Sequence, residues 1–209
     1  MRVDIWSDVV CPFCYVGKAR FANALAAHPR RDEAEVVYHA FELDPSAPAS
    51  RGETNLEMLS QKYGLTPEQA RQADGQVGAL ARAEGLGFDS ERPIGNTFDI
   101  HRVIGLALAE GVQPDLVSAV DQAYFAKAEQ VFDPAVLTDV AVRAGLDRAA
   151  VSAVLDGDGY AAEVRQDETQ ARQLGISGVP FFVFDMRVGV SGAQPTELFT
   201  RALDQALEG

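Results

Sequence analysis

Two residue types are scarce in this chain, and each shortage rules something out. Cysteine occurs twice and histidine three times in 209 residues. Structural zinc usually takes four Cys or His ligands, and His28, His39 and His101 are nowhere paired at metal-ligand spacing, so no metal is expected. Basic residues are also few, 18 against 31 acidic, which leaves a net charge of -13. Such a surface repels phosphate backbones and anionic lipid, so neither nucleic acid nor membrane is an expected partner. No apolar run approaches the roughly 20 residues of a membrane span. No apolar leader with a small-residue cleavage site precedes the first strand, and the expected location is the cytoplasm. Internal repeats and low-complexity tracts are absent as well. With 47% hydrophobic residues, the chain has enough apolar material for a real core.

What is present is concentrated in Trp6-Ser7-Asp8-Val9-Val10-Cys11-Pro12-Phe13-Cys14-Tyr15, which holds both cysteines at Cys-x-x-Cys spacing. Arg2 to Trp6 reads as a strand and Val16 to Ala27 as a helix, so the pair falls at a strand-to-helix junction. With Cys11 as N-cap, Pro12 takes the first helical position, where its fixed φ fits and its missing N–H costs nothing. The Phe13 and Cys14 N–H groups then face the cap side chain. A Cys11 thiolate there accepts those donors and feels the positive end of the helix dipole, which lowers its pKa. Cys11 is the expected nucleophile. Cys14, one turn inside the helix, is the expected resolving thiol in disulfide exchange. In a reducing compartment a lone cysteine pair points to catalysis rather than to a structural bridge.

The rest of the chain predicts an α/β protein. Ala34 to Phe41 alternates as a second strand, joined to the first by the helix in a βαβ unit. Ser46 to Gly52 reads as a linker. From Thr54 to about Leu174 every pattern is helical, with apolar stripes at i, i+3, i+4 and i+7. Sheet returns as a hairpin, Pro180 to Phe184 and Val188 to Ser191, turning at Asp185-Met186-Arg187. A last helix carries Leu198, Phe199, Ala202, Leu203, Ala206 and Leu207. The expected organisation is residues 1–52 and 175–209 as one domain, with 53–174 as a large all-helical insertion between the second and third strands. This is a thioredoxin-like order.

A second constellation is Gly175-Ile176-Ser177-Gly178-Val179-Pro180. Proline is acceptable at the first residue of a strand because it donates nothing to the ladder. The Val179–Pro180 bond is either cis, bringing the Val179 backbone beside the cysteines, or trans, merely starting the strand. In the first case the free N–H and C=O of Val179 pair with an extended substrate as an added strand. Val179, with Pro12 and Phe13 between the cysteines, is the expected substrate-binding surface.

Together these pieces resemble the DsbA family of thiol-disulfide oxidoreductases, and its FrnE-like cytoplasmic branch most closely. The resemblance rests on the Trp6–Cys14 stretch, Phe41-Glu42-Leu43, Asn96-Thr97 with His101-Arg102, Gly175 to Phe182, and Ser191 to Pro195. It implies a thioredoxin fold with a helical insertion, Cys11 as nucleophile, Cys14 as resolver and a cis Pro180 opposite them as the catalytic set. The implied activity is disulfide exchange, as oxidoreductase or isomerase, on protein or small-thiol substrates. No metal or organic cofactor is needed, and glutathione is a possible co-substrate. Phe13 stands where similar periplasmic chains carry histidine, and Met186 where similar chains carry a turn glycine. Without that positive charge, Cys11 is expected to be less acidic than in those relatives.

Asp4 lies where similar proteins carry a buried acid, and proton transfer at Cys14 is its expected role, against that of an edge carboxylate balancing Arg2. His101 and Arg102 face the groove or form a helix-surface pair near Asp99. His39 reads as a packed or rim residue, and His28 as a charge at a helix C-terminus. Trp6, Phe41, Phe181 and Phe182 read as core. Two other functions fit the same architecture. One is a glutathione-dependent isomerase or transferase of the kappa and hydroxychromene-carboxylate isomerase type, which usually carries serine in place of Cys11. The other is a holdase with incidental cysteines.

Overall fold

The computed structural model describes residues 1–50 and 52–207. Among them are a four-stranded sheet and nine α-helices. In chain order these are β1 (Arg2–Ser7), α1 (Pro12–Ala27), β2 (Glu35–Ala40), then α2 (Asn55–Tyr63), α3 (Pro67–Ala83), α4 (Phe98–Ala109), α5 (Gln113–Asp121), α6 (Pro134–Arg143), α7 (Arg148–Asp156) and α8 (Ala161–Gln173). The chain closes with β3 (Phe181–Phe184), β4 (Val188–Ser191) and α9 (Thr196–Leu207). This is the mixed α/β thioredoxin fold.

The sheet order is β2-β1-β3-β4. β1 is central and pairs parallel with β2, from Arg2 opposite Glu35 to Ser7 opposite Ala40. It pairs antiparallel with β3, Ile5 opposite Phe182. A central strand must bury both faces, and β1 does so from Val3 to Ser7. Val3 and Ile5 point into a cluster with Phe21 and Ala24 of α1, Phe182 and Phe184 of β3, and Phe199, Ala202 and Leu203 of α9. The Phe21 ring centroid is 5.5 Å from that of Phe182 and 5.9 Å from that of Phe199. On the opposite face Trp6 packs with Val183, Ile176 and Ala171 of α8, flanked by Phe41, Val179 and Phe181.

The β3–β4 turn shows what Met186 does. The Arg187 N–H bonds the Phe184 carbonyl at 2.9 Å, and the two central residues, Asp185 and Met186, both have positive φ, 46° and 54°. This is the left-handed conformation that a two-residue hairpin turn requires. Asp185 is anchored there by the Arg2 N–H, 2.6 Å from its carboxylate.

The chain forms two compact units, Met1–Leu43 with Ala162–Gly209, and Asp44–Ala161. The expected helical span of 53–174 therefore differs at both ends. Periodicity revealed α8 as a helix but not what it packs on: its Ala171 lies against Trp6, and its Asp167 carbonyl accepts from Trp6 Nε1 at 3.1 Å. The stretch read as a linker joins the helical unit, the Asn96 N–H bonding Pro48 O at 3.0 Å.

Inside that unit, α2 and α3 open with reciprocal capping boxes, Thr54 with Glu57 and Thr66 with Gln69. α7 starts at the cap of Asp147, which accepts from the Ala150 N–H at 2.9 Å. The guanidinium of Arg92 is buried 4.2 Å from the Phe88 ring centroid and pairs with Asp74 at 2.7 Å. Arg102 is also buried. It bonds Asp99 at 2.8 Å, the Gly159 carbonyl at 2.9 Å, and the Val154 and Gly157 carbonyls that end α7. It is a structural cap, not the surface member of a helix pair.

Candidate dithiol site

α1 begins as its sequence dictates. Cys11 is the N-cap with extended backbone (φ -81°, ψ 110°), and Pro12 opens the helix. The Cys11 N–H closes a turn onto the Asp8 carbonyl at 3.2 Å, which places the cysteine directly beyond the end of β1. Both thiols are free and buried, Cys14 completely. In this reduced form Cys11 Sγ makes no cap hydrogen bond. It donates instead to the Val179 carbonyl at 3.6 Å. The Val179–Pro180 bond is cis. Pro180 sits against Gly17, where a Cβ would lie 2.9 Å from Pro180 Cγ and 3.3 Å from Ala193 Cα. Arg20 Nη1 fixes the same loop by donating to the Ala193 carbonyl at 2.8 Å. Gly17 and Arg20, both on α1, therefore seat the proline segment against the dithiol.

The two thiols are driven apart in acidity. The Cys11 pKa is lowered, foremost by a hydrogen bond from the Cys14 thiol to the developing thiolate. Burial opposes this, the Cys14 and Phe13 N–H groups reinforce it, and the Asp8 charge works against it. The Cys14 pKa is pushed well up, by its burial first, then by donating to Cys11 and by the charge on that sulfur, while Lys18 pulls it down. Asp8 is itself buried, its Oδ2 accepting the Leu43 N–H at 2.8 Å.

Asp4 is buried, but its hydrogen bonds run to Arg2 Nε at 2.9 Å and His39 Nε2 at 2.7 Å rather than to a cysteine. The opposite nitrogen, His39 Nδ1, meets Asp167 of α8 at 2.7 Å. Two carboxylates on the two ring nitrogens require both nitrogens to donate, so the ring is held as imidazolium. Burial acts to lower its pKa, but the bonds and charges of Asp167 and Asp4 prevail and raise it. Nothing in these contacts supports proton transfer from Asp4 to Cys14. Asp4 instead ties β1, β2 and α8 together through His39.

Of the other residues singled out in the sequence, Phe13 is 46% exposed between the cysteines and Val179 is half-buried beside them. His28 lies at the end of α1, accepting the Arg30 N–H on Nδ1 at 3.1 Å and meeting Asp204 through Nε2 at 3.1 Å. It tethers the end of α1 to α9. His101 is buried in the helical unit. Sequence reasoning passed over Asp8, Lys18 and Asp167. Lys18 carried a signal, a charged residue four positions after Cys14 on the apolar stripe of α1. Asp167 carried none, because its partner His39 is distant in sequence.

Among the described residues no group of three or more His, Cys, Asp or Glu could hold a metal ion. No described helix is long and apolar enough to cross a membrane.

Known proteins bear the same stamp. The DSBA-like thioredoxin domain family matches residues 2–204. A probable DsbA oxidoreductase from Streptomyces coelicolor is 51% identical, with a TM-score of 0.95 over 100% of this chain and 90% of that one. The uncharacterised protein YwbO of Bacillus subtilis is 26% identical over 97% of this chain and 96% of its own. The cytosolic disulfide reductase DsbM of Pseudomonas aeruginosa, solved also with glutathione, shares the fold at 15% identity and a TM-score of 0.67, covering 100% of this chain and 99% of that one.

Proposed function

The chain belongs to the DSBA-like thioredoxin domain family, and from that footing we propose that it catalyses thiol-disulfide exchange, with Cys11 as nucleophile and Cys14 as resolver. The observation that carries this reading is the divergence of the two thiols. The thiol at the helix N-terminus is acidified, and the one a turn inside is held protonated by burial. The Cys11 thiolate attacks a substrate disulfide, forms a mixed disulfide and expels the first substrate sulfur as thiolate. Cys14 then loses its proton and attacks Cys11 Sγ, forming the Cys11–Cys14 disulfide and expelling the second substrate thiolate. The dithiol gives up two electrons and the substrate disulfide gains them. Run backwards, the same steps oxidise a dithiol.

The Val179 backbone beside Cys11 serves as the strand edge for an extended substrate, with Pro12 and exposed Phe13 as its apolar neighbours. Leu43, 48% exposed and tied to Asp8 through its N–H, extends that apolar rim. Electrons pass through sulfur alone, so no metal or organic cofactor enters. The proposed setting is the cytoplasm, where a lone dithiol stays reduced and ready. The proposed partners are protein disulfides and small thiols, with glutathione the first to try.

The test is a redox titration of the Cys11–Cys14 pair in glutathione buffers, read by mass after thiol alkylation. A reversible two-electron couple between about -270 and -120 mV is expected. Failure to form the disulfide at any poise, with glutathione nonetheless bound, would overturn the proposal in favour of glutathione-dependent isomerisation or transfer.

A further inference from the structure

α1 carries one charged residue on the stripe it turns to the sheet. Cys14, Lys18, Phe21 and Leu25 follow one another at i, i+4, i+7 and i+11, and Phe21 is packed into the β1–β3 core. Lys18 is only 8% exposed, and its Nζ lies 6.0 Å from the ring centroid of Tyr38 on β2. Burying an ammonium is costly unless it is paired. Residues four apart on a helix have Cβ atoms about 5–6 Å apart. Helical side chains also lean toward the N-terminus, here toward the turn holding Cys14.

We propose that Lys18 is a positioning residue for the second half of exchange, its ammonium stabilising the Cys14 thiolate as it attacks the mixed disulfide. The inference rests on the assignment of Cys11 as nucleophile and Cys14 as resolver. Cys14 is buried and carries its proton until the mixed disulfide forms. Once Cys11 is bonded to substrate sulfur, the negative charge that held the Cys14 proton is gone, and the Lys18 charge, with a hydrogen bond from the Asp8 backbone, remains to favour its release. The proton leaves to water, the Cys14 sulfur bonds to Cys11 Sγ, and the substrate sulfur departs with the electron pair. The direction in which Lys18 moves the Cys14 pKa agrees with this role, and Lys18 is not among the largest influences on Cys11.

Stopped-flow reaction of the reduced protein with 5,5′-dithiobis(2-nitrobenzoate) separates the two halves. Attack by Cys11 releases the first thionitrobenzoate at a rate proportional to reagent. Attack by Cys14 releases the second at a rate independent of it. Losing an opposite charge raises a pKa by about one unit or more. Each unit lowers the thiolate fraction about tenfold and returns about threefold in nucleophilicity. In Lys18→Met the second phase should therefore slow at least about threefold near neutral pH, and its pH midpoint should move up. The first phase should keep its midpoint, and Lys18→Arg should restore the second. An unchanged second phase in a folded Lys18→Met protein, checked by circular dichroism and repeated with Lys18→Gln, overturns the inference. Equal slowing of both phases without a shift in either pH profile overturns it too, by showing a structural role. Failure of the wild-type protein to release the second thionitrobenzoate would instead overturn the underlying assignment of the thiols.

Discussion

His39 lies flat on Trp6, their ring centroids 4.5 Å apart and their planes 16° from parallel. Trp6 is the only tryptophan in the chain, so its emission reports on this one ring. Imidazolium accepts an electron from excited indole better than neutral imidazole does, and so quenches it. Fluorescence of the reduced protein should rise as pH passes through the His39 pKa, at a value above the ordinary 6.5. His39→Gln should abolish the step. A midpoint at or below 6.5 would contradict the paired carboxylates on the ring.

The same ring bears on stability. Its folded pKa is raised above the unfolded value, so the folded state binds the proton more tightly. The stabilisation is fully present below about pH 6.5 and is lost as pH rises through the folded pKa. Denaturant midpoints of the wild type should fall from neutral to alkaline pH, and the difference between wild type and His39→Gln, which isolates the part due to His39, should shrink over the same range.

Asp8 opposes ionisation of Cys11 from within the turn that precedes it. Asp8→Asn removes the charge and keeps an oxygen for the Leu43 N–H. The midpoint of iodoacetamide alkylation of Cys11 against pH should move down, and alkylation at mildly acidic pH should speed up. An upward movement would mean that the carboxylate organises the turn more than it repels the thiolate.

Gly17 and Gly75 both lie inside helices, and alanine should act on them oppositely. A Cβ at Gly17 meets Pro180 at 2.9 Å, whereas one at Gly75 meets nothing within 4 Å. Gly17→Ala should destabilise by about 1–3 kcal/mol through overpacking and slow disulfide exchange by displacing Pro180 from the dithiol. Gly75→Ala should stabilise by roughly 0.5–1 kcal/mol and leave exchange untouched. Chemical denaturation with a disulfide-reduction assay reads both.

Met186 holds φ at 54° in a turn position that glycine takes without penalty. Met186→Gly should stabilise by about 1 kcal/mol, raising the thermal midpoint by roughly 2–4 °C for a chain of this size. A loss of stability would show that the half-exposed methionine side chain contributes more by packing than its backbone costs.

The parts legible in the sequence were those encoded locally. Cys11-Pro12 announced a helix start, and Pro180 to Phe184 with Val188 to Ser191 a hairpin. What stayed hidden depended on which surfaces meet. The α8 pattern is the same whether it packs on helices or on Trp6, so its unit could not be read. Asp4 was read either as a buried acid or as a carboxylate balancing Arg2, and it is both buried and bonded to Arg2; its partner His39 stayed hidden, because His39 reaches it only through strand register and Asp167 only through the packing of α8. Met186 marked a turn without revealing the sign of its φ, which depends on how β3 and β4 twist.

The Cys11–Val179 contact joins residues 168 positions apart. A ribosome adds residues at about 5–20 per second, so in the cell the dithiol emerges many seconds before the segment that will cover it. During that interval α1 presents its cysteines without Val179, Pro180 or β3, and the nascent chain has the thiols before it has the substrate edge. Contacts of such long range also slow the final docking of a fold. Newly made chains should therefore pass through a period in which the thiols are open to any oxidant, and control over them arrives only with the C-terminal residues.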